Sequence, residues 1–118
     1  MNILLIAIGG AIGATLRFLV SSNISAPYGT LAVNVLGSFL IGFLYILLLE
    51  RHVELRPFLM IGMLGAFTTF STFSLETLNL LLAKEHTQAF LNIFLNVVVC
   101  LFATWLGIQI AKQLIKYA

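Results

Sequence analysis

Four long apolar runs dominate this sequence and constrain its fold more than any other feature. They cover residues 2–20, 30–49, 57–83 and 89–111, and charged side chains cluster mainly between them. Each run can cross a bilayer as a helix, which takes about 20 residues. The runs are continuously apolar, whereas the strands of a membrane barrel alternate polar and apolar residues. The sequence therefore predicts an all-α integral membrane protein with four transmembrane helices in a single membrane domain, residues 1–118.

The composition agrees with a lipid environment. Hydrophobic residues make up 61% of the chain and charged residues only 8%, whereas soluble domains carry about 25% charged residues. The connections are too short for a nucleotide fold or another extramembrane domain, and we expect no enzyme activity. Four cations fall on the side that would hold both termini, which favours termini in the cytoplasm: Arg51, Arg56, Lys112 and Lys116.

The first run contains a face of small residues followed by a cation. Gly9, Gly10, Gly13 and Ala14 predict a close contact with another helix. Arg17 comes one turn later and has two interpretations. It is either a cation that reaches the membrane surface from the end of the helix or a positive charge in an aqueous vestibule.

Polar side chains repeat every four residues in the second and fourth runs. Asn34 and Ser38 share one helix face, where the asparagine either bonds a neighbouring helix or donates N–H groups to an anion. The fourth run has a stripe that we expect to face away from lipid, as a polar track or as a helix contact: Asn92, Asn96, Cys100 and Thr104. Cys100 is the only cysteine, so a disulfide within one chain is excluded.

The third run is the most unusual. Residues 62–74 hold two glycines and five hydroxyl residues in the expected middle of the membrane. We predict a break in this helix, although an intact helix with hydroxyls bonded to its own backbone is the common alternative. Phe70 and Phe73 share a face and could present positive ring edges to an anion, or simply pack in a core. Glu76 extends that face by another turn.

Three segments, in order, closely resemble the signatures of the Fluc (CrcB) family of fluoride channels. They are residues 9–18 (GGAIGATLRF), 29–39 (GTLAVNVLGSF) and 68–76 (TTFSTFSLE). The length and the number of spans also fit, so the resemblance covers nearly the whole chain. It implies an antiparallel dimer with two pores that lets fluoride leave the microbial cytoplasm passively and relieves fluoride toxicity, in the cell membrane.

The resemblance also implies roles for individual residues. Asn34 is similar to the family's pore asparagine, Phe70 and Phe73 to its fluoride-facing phenylalanines, and Arg17 to its vestibule arginine. Glu76 matches the acidic residue of the third motif. We expect Ser38, Asn92 and Asn96 beside the same pore, although the family's fourth span resembles Tyr-x-x-x-Ser where this chain has the two asparagines.

A structural sodium ion is a further expectation from the resemblance. Gly65 and Thr68 resemble the residues whose backbone carbonyls, from both subunits, hold that ion at the dimer interface. The partner is either a second copy or an oppositely oriented homologue. The cation excess on one side favours the second possibility, because it predicts a single fixed orientation.

Two other function classes fit the size and the number of spans. One is a small multidrug transporter, but such exporters couple to protons through an acidic residue in the first span, and this chain has no acid before Glu50. The other is a non-conducting assembly subunit, whose polar residues would only bind neighbouring helices.

Overall fold

The computed structural model describes residues 2–117 and is entirely helical, with no strand within them. Four helical stretches are long and apolar enough to cross a membrane, namely Ile3–Ser22, Tyr28–Leu47, Val53–Leu82 and His86–Lys116. We call them the first to fourth spans. The predicted all-α architecture with four membrane-spanning helices is confirmed.

The first two spans are regular α-helices and the last two are composite. The third span starts with a 3₁₀ turn and continues through a π-helix, an α-helical turn and a longer α-helix: Val53–Leu55, Pro57–Leu64, Gly65–Phe67 and Phe70–Leu82. The fourth span has a π-helix between two α-helices: His86–Phe94, Leu95–Val99 and Cys100–Tyr117. Pro57 lies at the start of its helix, where its missing N–H costs nothing.

The third span bends at Thr68 and Thr69. Their backbones are extended, with φ −87° and ψ 160° at Thr68 and φ −150° and ψ 121° at Thr69. The Thr69 hydroxyl accepts a hydrogen bond from the Thr72 N–H at 3.2 Å and caps the helix that follows. The bend therefore separates two parts of the third span. In chain order, and with no reference to ion movement, we call them the entry half (Pro57–Phe67) and the exit half (Phe70–Leu82).

Glycines determine how the spans pack. The first span lies along the entry half, and a Cβ added at Gly9 or Gly13 would collide with backbone atoms of Phe58 or Met63. The second span lies along Cys100–Tyr117 in the same way, through Gly42 and Gly107. The small-residue face of the first run is thus a helix contact, as predicted.

Gly29 lies in a helix, although the apolar run predicted for the second span begins only at residue 30. The second span begins at Tyr28, and Gly29 is buried in its first turn. A Cβ at this position would lie 2.8 Å from the Cα of Ser21, so glycine lets the second span start close against the end of the first.

Candidate functional site

A groove of about 290 Å³ lies where the second, third and fourth spans meet beside the bend. Its walls combine glycine, hydroxyl, amide and aromatic groups with aliphatic ones: Asn34, Gly37, Ser38, Ile41, Leu64, Gly65, Thr68, Thr69, Phe70, Phe73, Asn96, Val97 and Cys100. The groove contains no formally charged side chain. It is therefore a neutral, partly polar site in the region predicted to lie within the membrane.

The groove brings together most of the predicted site residues. Five of the predicted pore residues line it, as do both residues expected at the sodium site: Asn34, Ser38, Phe70, Phe73 and Asn96, with Gly65 and Thr68. Arg17, Glu76 and Asn92 lie outside it. Two of the three segments that resemble the family signatures, residues 29–39 and 68–76, thus meet in the groove, whereas residues 9–18 do not line it.

Phe70 and Phe73 form an edge-to-face pair in the wall of the groove. Their ring centroids are 5.3 Å apart and the ring planes are inclined by 62°. Phe73 is 8% exposed, whereas Phe70 is 77% exposed. One ring is therefore fixed within the chain and the other projects from it, and the positive edges of such rings can meet an anion.

The start of the exit half gives the groove hydrogen-bond donors. Thr69 is the N-cap of a 13-residue helix, and the N-terminal end of a helix carries partial positive charge. The hydroxyl oxygens of Thr69 and Ser71 are 3.4 Å apart. When Ser71 donates to Thr69, the Thr69 O–H is free to point to an acceptor in the groove that Thr69 lines.

Asn34 connects the second span to the bend. Its Nδ2 donates to the Thr69 carbonyl at 3.0 Å and to Asn96 Oδ1 at 2.9 Å, and its Oδ1 accepts from the Thr69 N–H at 2.8 Å. A primary amide has two N–H donors, and both are used in these contacts. Asn34 therefore joins the second span to the third and fourth, and its expected role beside a pore stays a prediction.

Side chains of the polar stripe in the fourth span bond one another and the neighbouring spans. Asn92 and Asn96 are 4% and 8% exposed, and Asn96 Nδ2 donates to the Asn92 carbonyl and Oδ1 at 2.9 and 3.0 Å. Asn92 Nδ2 donates to Thr77 Oγ1 at 2.9 Å. The Thr104 hydroxyl donates to the Ser38 carbonyl at 3.0 Å. The stripe faces away from lipid, as predicted.

Thr77 is a contact residue that the sequence analysis did not single out. It is 4% exposed and its hydroxyl donates to the Phe73 carbonyl at 2.8 Å. Its only signal in the sequence is the spacing of four residues from Phe73, which places a threonine hydroxyl over that carbonyl in any helix. Its contact with Asn92 depends on how two helices meet, which the spacing does not encode.

Arg17 and Glu76 lie at other places in the fold. Arg17 is half-buried, and its Nε donates to the Ala66 carbonyl at 2.9 Å, near the end of the entry half. Glu76 Oε1 is buried without a hydrogen-bond partner among the described residues. The Glu76 side chain lines a separate cavity of about 180 Å³ beside Pro27 and Asn79.

The bend releases two backbone carbonyls from their usual helical partners. In a continuous helix the Thr69 N–H would bond the Gly65 carbonyl and the Thr72 N–H would bond the Thr68 carbonyl. Here the first N–H donates to Asn34 Oδ1 and the second to Thr69 Oγ1. Carbonyl oxygens without a helical donor suit a hard cation, so the residues expected at the sodium site fit that ion chemically.

Together, the four spans and the uncharged groove define a multi-pass membrane protein with a partly polar site where three of its spans meet. The model of the family described as "CrcB-like protein, Camphor Resistance (CrcB)" matches residues 4–108. The chain belongs to the CrcB family.

Proteins similar to this chain over nearly their full length are named fluoride-specific ion channels. The fluoride-specific ion channel FluC of Hydrogenovibrio crunogenus is 48% identical, and the match covers 96% of this chain and 92% of that protein. FluC of Shewanella baltica is 50% identical over 92% of this chain and 94% of its own length. FluC of Magnetococcus marinus is 45% identical, with coverage of 95% and 98%.

Proposed function

We propose that this chain is a subunit of a fluoride-selective channel that lets fluoride leave the cell passively across the plasma membrane. The observation that carries the proposal is the uncharged groove at the bend of the third span. Phe70 and Phe73, in the first turn of the exit half, form part of its wall. The full-length similarity to fluoride-specific channels supports the same ion.

The chemistry of the groove suits fluoride. The ion is small and strongly hydrated, so a narrow path must replace its water with hydrogen-bond donors and positive ring edges. The Thr69 hydroxyl, when Ser71 donates to it, and the two phenylalanine rings are available for this. A fixed cation would hold anions more firmly, and none lines the groove. Arg17 lies outside it and supplies charge at a distance.

The complete channel is an antiparallel dimer of this chain with a second copy or with an oppositely oriented homologue. The exposed surface near the bend includes Gly65, Phe70 and Ser71. Backbone carbonyls and hydroxyls within the hydrocarbon need a protein partner or water, because lipid cannot bond them. A second subunit over this surface meets that need and encloses the open side of the groove.

The third span works as a broken helix, and its break holds a structural sodium ion between the two subunits. The carbonyls of Gly65 and Thr68 are the ligands that this chain contributes. The ion supplies a positive charge that joins the two breaks at the dimer interface. We expect replacement of sodium by a large organic cation to lower the melting temperature of the dimer, which thermal unfolding in detergent would measure.

Fluoride flux from proteoliposomes tests the function. The purified chain, alone and with a co-expressed homologue, is expected to release fluoride much faster than chloride. Phe70→Ile removes the exposed ring and should reduce the flux while the dimer still forms. Phe90→Ile is the matched control, because Phe90 is also exposed, at 68%, and does not line the groove. Absence of flux from both preparations would disprove the channel, and equal flux in both variants would disprove this pore position.

Orientation decides which partner completes the channel. Reporter fusions at the two termini will be found on one side of the membrane if the chain inserts in a single orientation. They will be found on both sides if it inserts in both orientations. A single orientation requires an oppositely oriented homologue for an antiparallel pair, whereas mixed orientation supports a homodimer.

A further inference from the structure

Four buried or half-buried side chains form one continuous series of hydrogen bonds across three spans. We call Asn34, Asn96, Asn92 and Thr77 the asparagine ladder. Asn34 donates to Asn96, Asn96 donates to Asn92, and Asn92 donates to Thr77, all between 2.9 and 3.0 Å. The ladder therefore runs from the second span through the fourth span to the exit half of the third.

Both ends of the ladder hold backbone atoms next to the phenylalanine pair. At one end, Asn34 exchanges two hydrogen bonds with the backbone of Thr69, the residue before Phe70. At the other end, the Thr77 hydroxyl donates to the Phe73 carbonyl at 2.8 Å. The helical turn that carries both rings is thus tied to its neighbours at its start and near its end.

The ladder has few donors left for an ion. Both N–H groups of Asn34 and both N–H groups of Asn96 are used for protein oxygens. An anion could reach either amide only by displacing one of these acceptors, which would leave a buried oxygen unpaired, and an unpaired buried acceptor is destabilising. Asn96 therefore lines the groove without offering it a free donor.

We propose that Asn92 and Asn96 are positioning residues: they hold Asn34 and the turn bearing Phe70 and Phe73 in place, and they do not bind the ion. This inference goes beyond the proposed function. Its flux measurements rest on that function, because they require a conducting channel. It also assigns a use to the two buried asparagines of the fourth span.

A double-mutant cycle separates positioning from binding. Asn96→Ala is expected to lower fluoride flux about tenfold, because the Asn34 amide loses an acceptor and the turn loosens. In an Asn34→Ala background the same change should cost less than about twofold, because the connection has already been cut. An equal loss in both backgrounds would mean that Asn96 acts on the ion independently. Unchanged flux in the single variant would also overturn the proposal.

Two further variants guard against a simple folding defect. Thr77→Val keeps the side-chain shape and removes the hydroxyl at the end of the ladder. We expect a flux loss of about threefold in a protein that still folds. Thr104→Val is the matched control, since Thr104 is on the stripe of Asn92 and Asn96 but its hydroxyl donates to the Ser38 carbonyl, outside the ladder. Its flux should stay within about twofold of the wild type. A flux loss equal to that of Thr77→Val would show that removing any hydroxyl from these helices lowers the flux, and it would contradict a specific role of the ladder.

A measurement without transport completes the test. Hydrogen exchange at the Asn34 side-chain amide, followed by NMR, should be slow in the wild type and faster in Asn96→Ala. Equal exchange in the two proteins would contradict the positioning role. If the wild type passes no fluoride, the proposed function is wrong, and the exchange result alone then supports or overturns the ladder.

Discussion

The two halves of the third span are held in place by different interactions. The entry half packs against the first span through backbone contacts, and a Cβ at Gly9, Gly13 or Gly62 would collide with the opposing backbone. The exit half is held through side chains, because Asn34 bonds the backbone of Thr69 and Thr77 bonds Asn92. Close packing thus fixes one half, and hydrogen bonds fix the other.

This difference separates stability from site geometry. In lipid, small residues let helices approach and gain van der Waals contact, whereas an interhelical hydrogen bond contributes only about 0.6 kcal/mol on average. Hydrogen bonds have strict directions, however, so they can fix the orientation of the turn that carries Phe70 and Phe73. Changes in the entry half should therefore affect folding most, and changes in the exit half should affect transport most.

The largest effect on stability is expected at Gly13. Gly13→Ala places a methyl group against the Met63 carbonyl, so the helices must separate, and we expect a loss of about 1–3 kcal/mol. Gly10→Ala is the control on the same helix, because its Cβ would lie 3.9 Å from the Gly62 carbonyl, an ordinary contact. Thermal unfolding in detergent measures both. Similar melting temperatures for the two variants would show that the two helices accommodate the methyl group at residue 13 without loss of stability.

The next effect is expected at Asn34. Asn34→Ala removes three hydrogen bonds, which we expect to lower stability by about 2 kcal/mol and to reduce fluoride flux more than Gly10→Ala does. Asn79→Ala is the control, because Asn79 is an exposed asparagine in the exit half. Unfolding and flux should be measured on the same preparations. Wild-type flux from Asn34→Ala would show that the bonds at the bend do not matter for transport.

A smaller effect is expected at Thr69. Thr69→Val keeps the branched shape and removes the cap on the Thr72 N–H, for a loss of about 1 kcal/mol, whereas Thr69→Ser keeps the hydroxyl. The serine variant should therefore retain most of both stability and flux. Equal behaviour of the two variants in thermal unfolding would show that the cap contributes nothing to the bend.

The fold could be predicted from the sequence because apolar runs of this length in a nearly uncharged chain have few alternatives. The small-residue face of the first span was also predictable, since helical spacing alone puts Gly9 and Gly13 on one side. Gly29 lies just before the second apolar run, residues 30–49, and so outside the predicted helix. Its place in the second span follows from the close approach of Ser21, which the local sequence does not reveal.

The candidate site was predicted only in part. The family motifs identified Asn34, Phe70 and Phe73, which the structure brings together in the groove. The alternatives for the asparagines remained open, because whether an amide N–H is free depends on which acceptor a neighbouring helix presents. Thr77 completes the ladder through a contact between two spans, and no spacing within one helix encodes such a contact.

The smallest effect is expected at Arg17, which contacts the third span where its two halves meet. The Nε contact with the Ala66 carbonyl places a cation at the end of the entry half, where helix carbonyls carry partial negative charge. If the charge also attracts fluoride, Arg17→Gln should lower flux about threefold at low ionic strength, and the loss should fade near 1 M impermeant salt, where the Debye length is about 3 Å. Arg17→Lys keeps the charge and should stay near the wild type throughout. A loss in Arg17→Gln that persists unchanged in high salt would mean that the residue only anchors the helix end, because screening weakens long-range attraction far more than a direct contact.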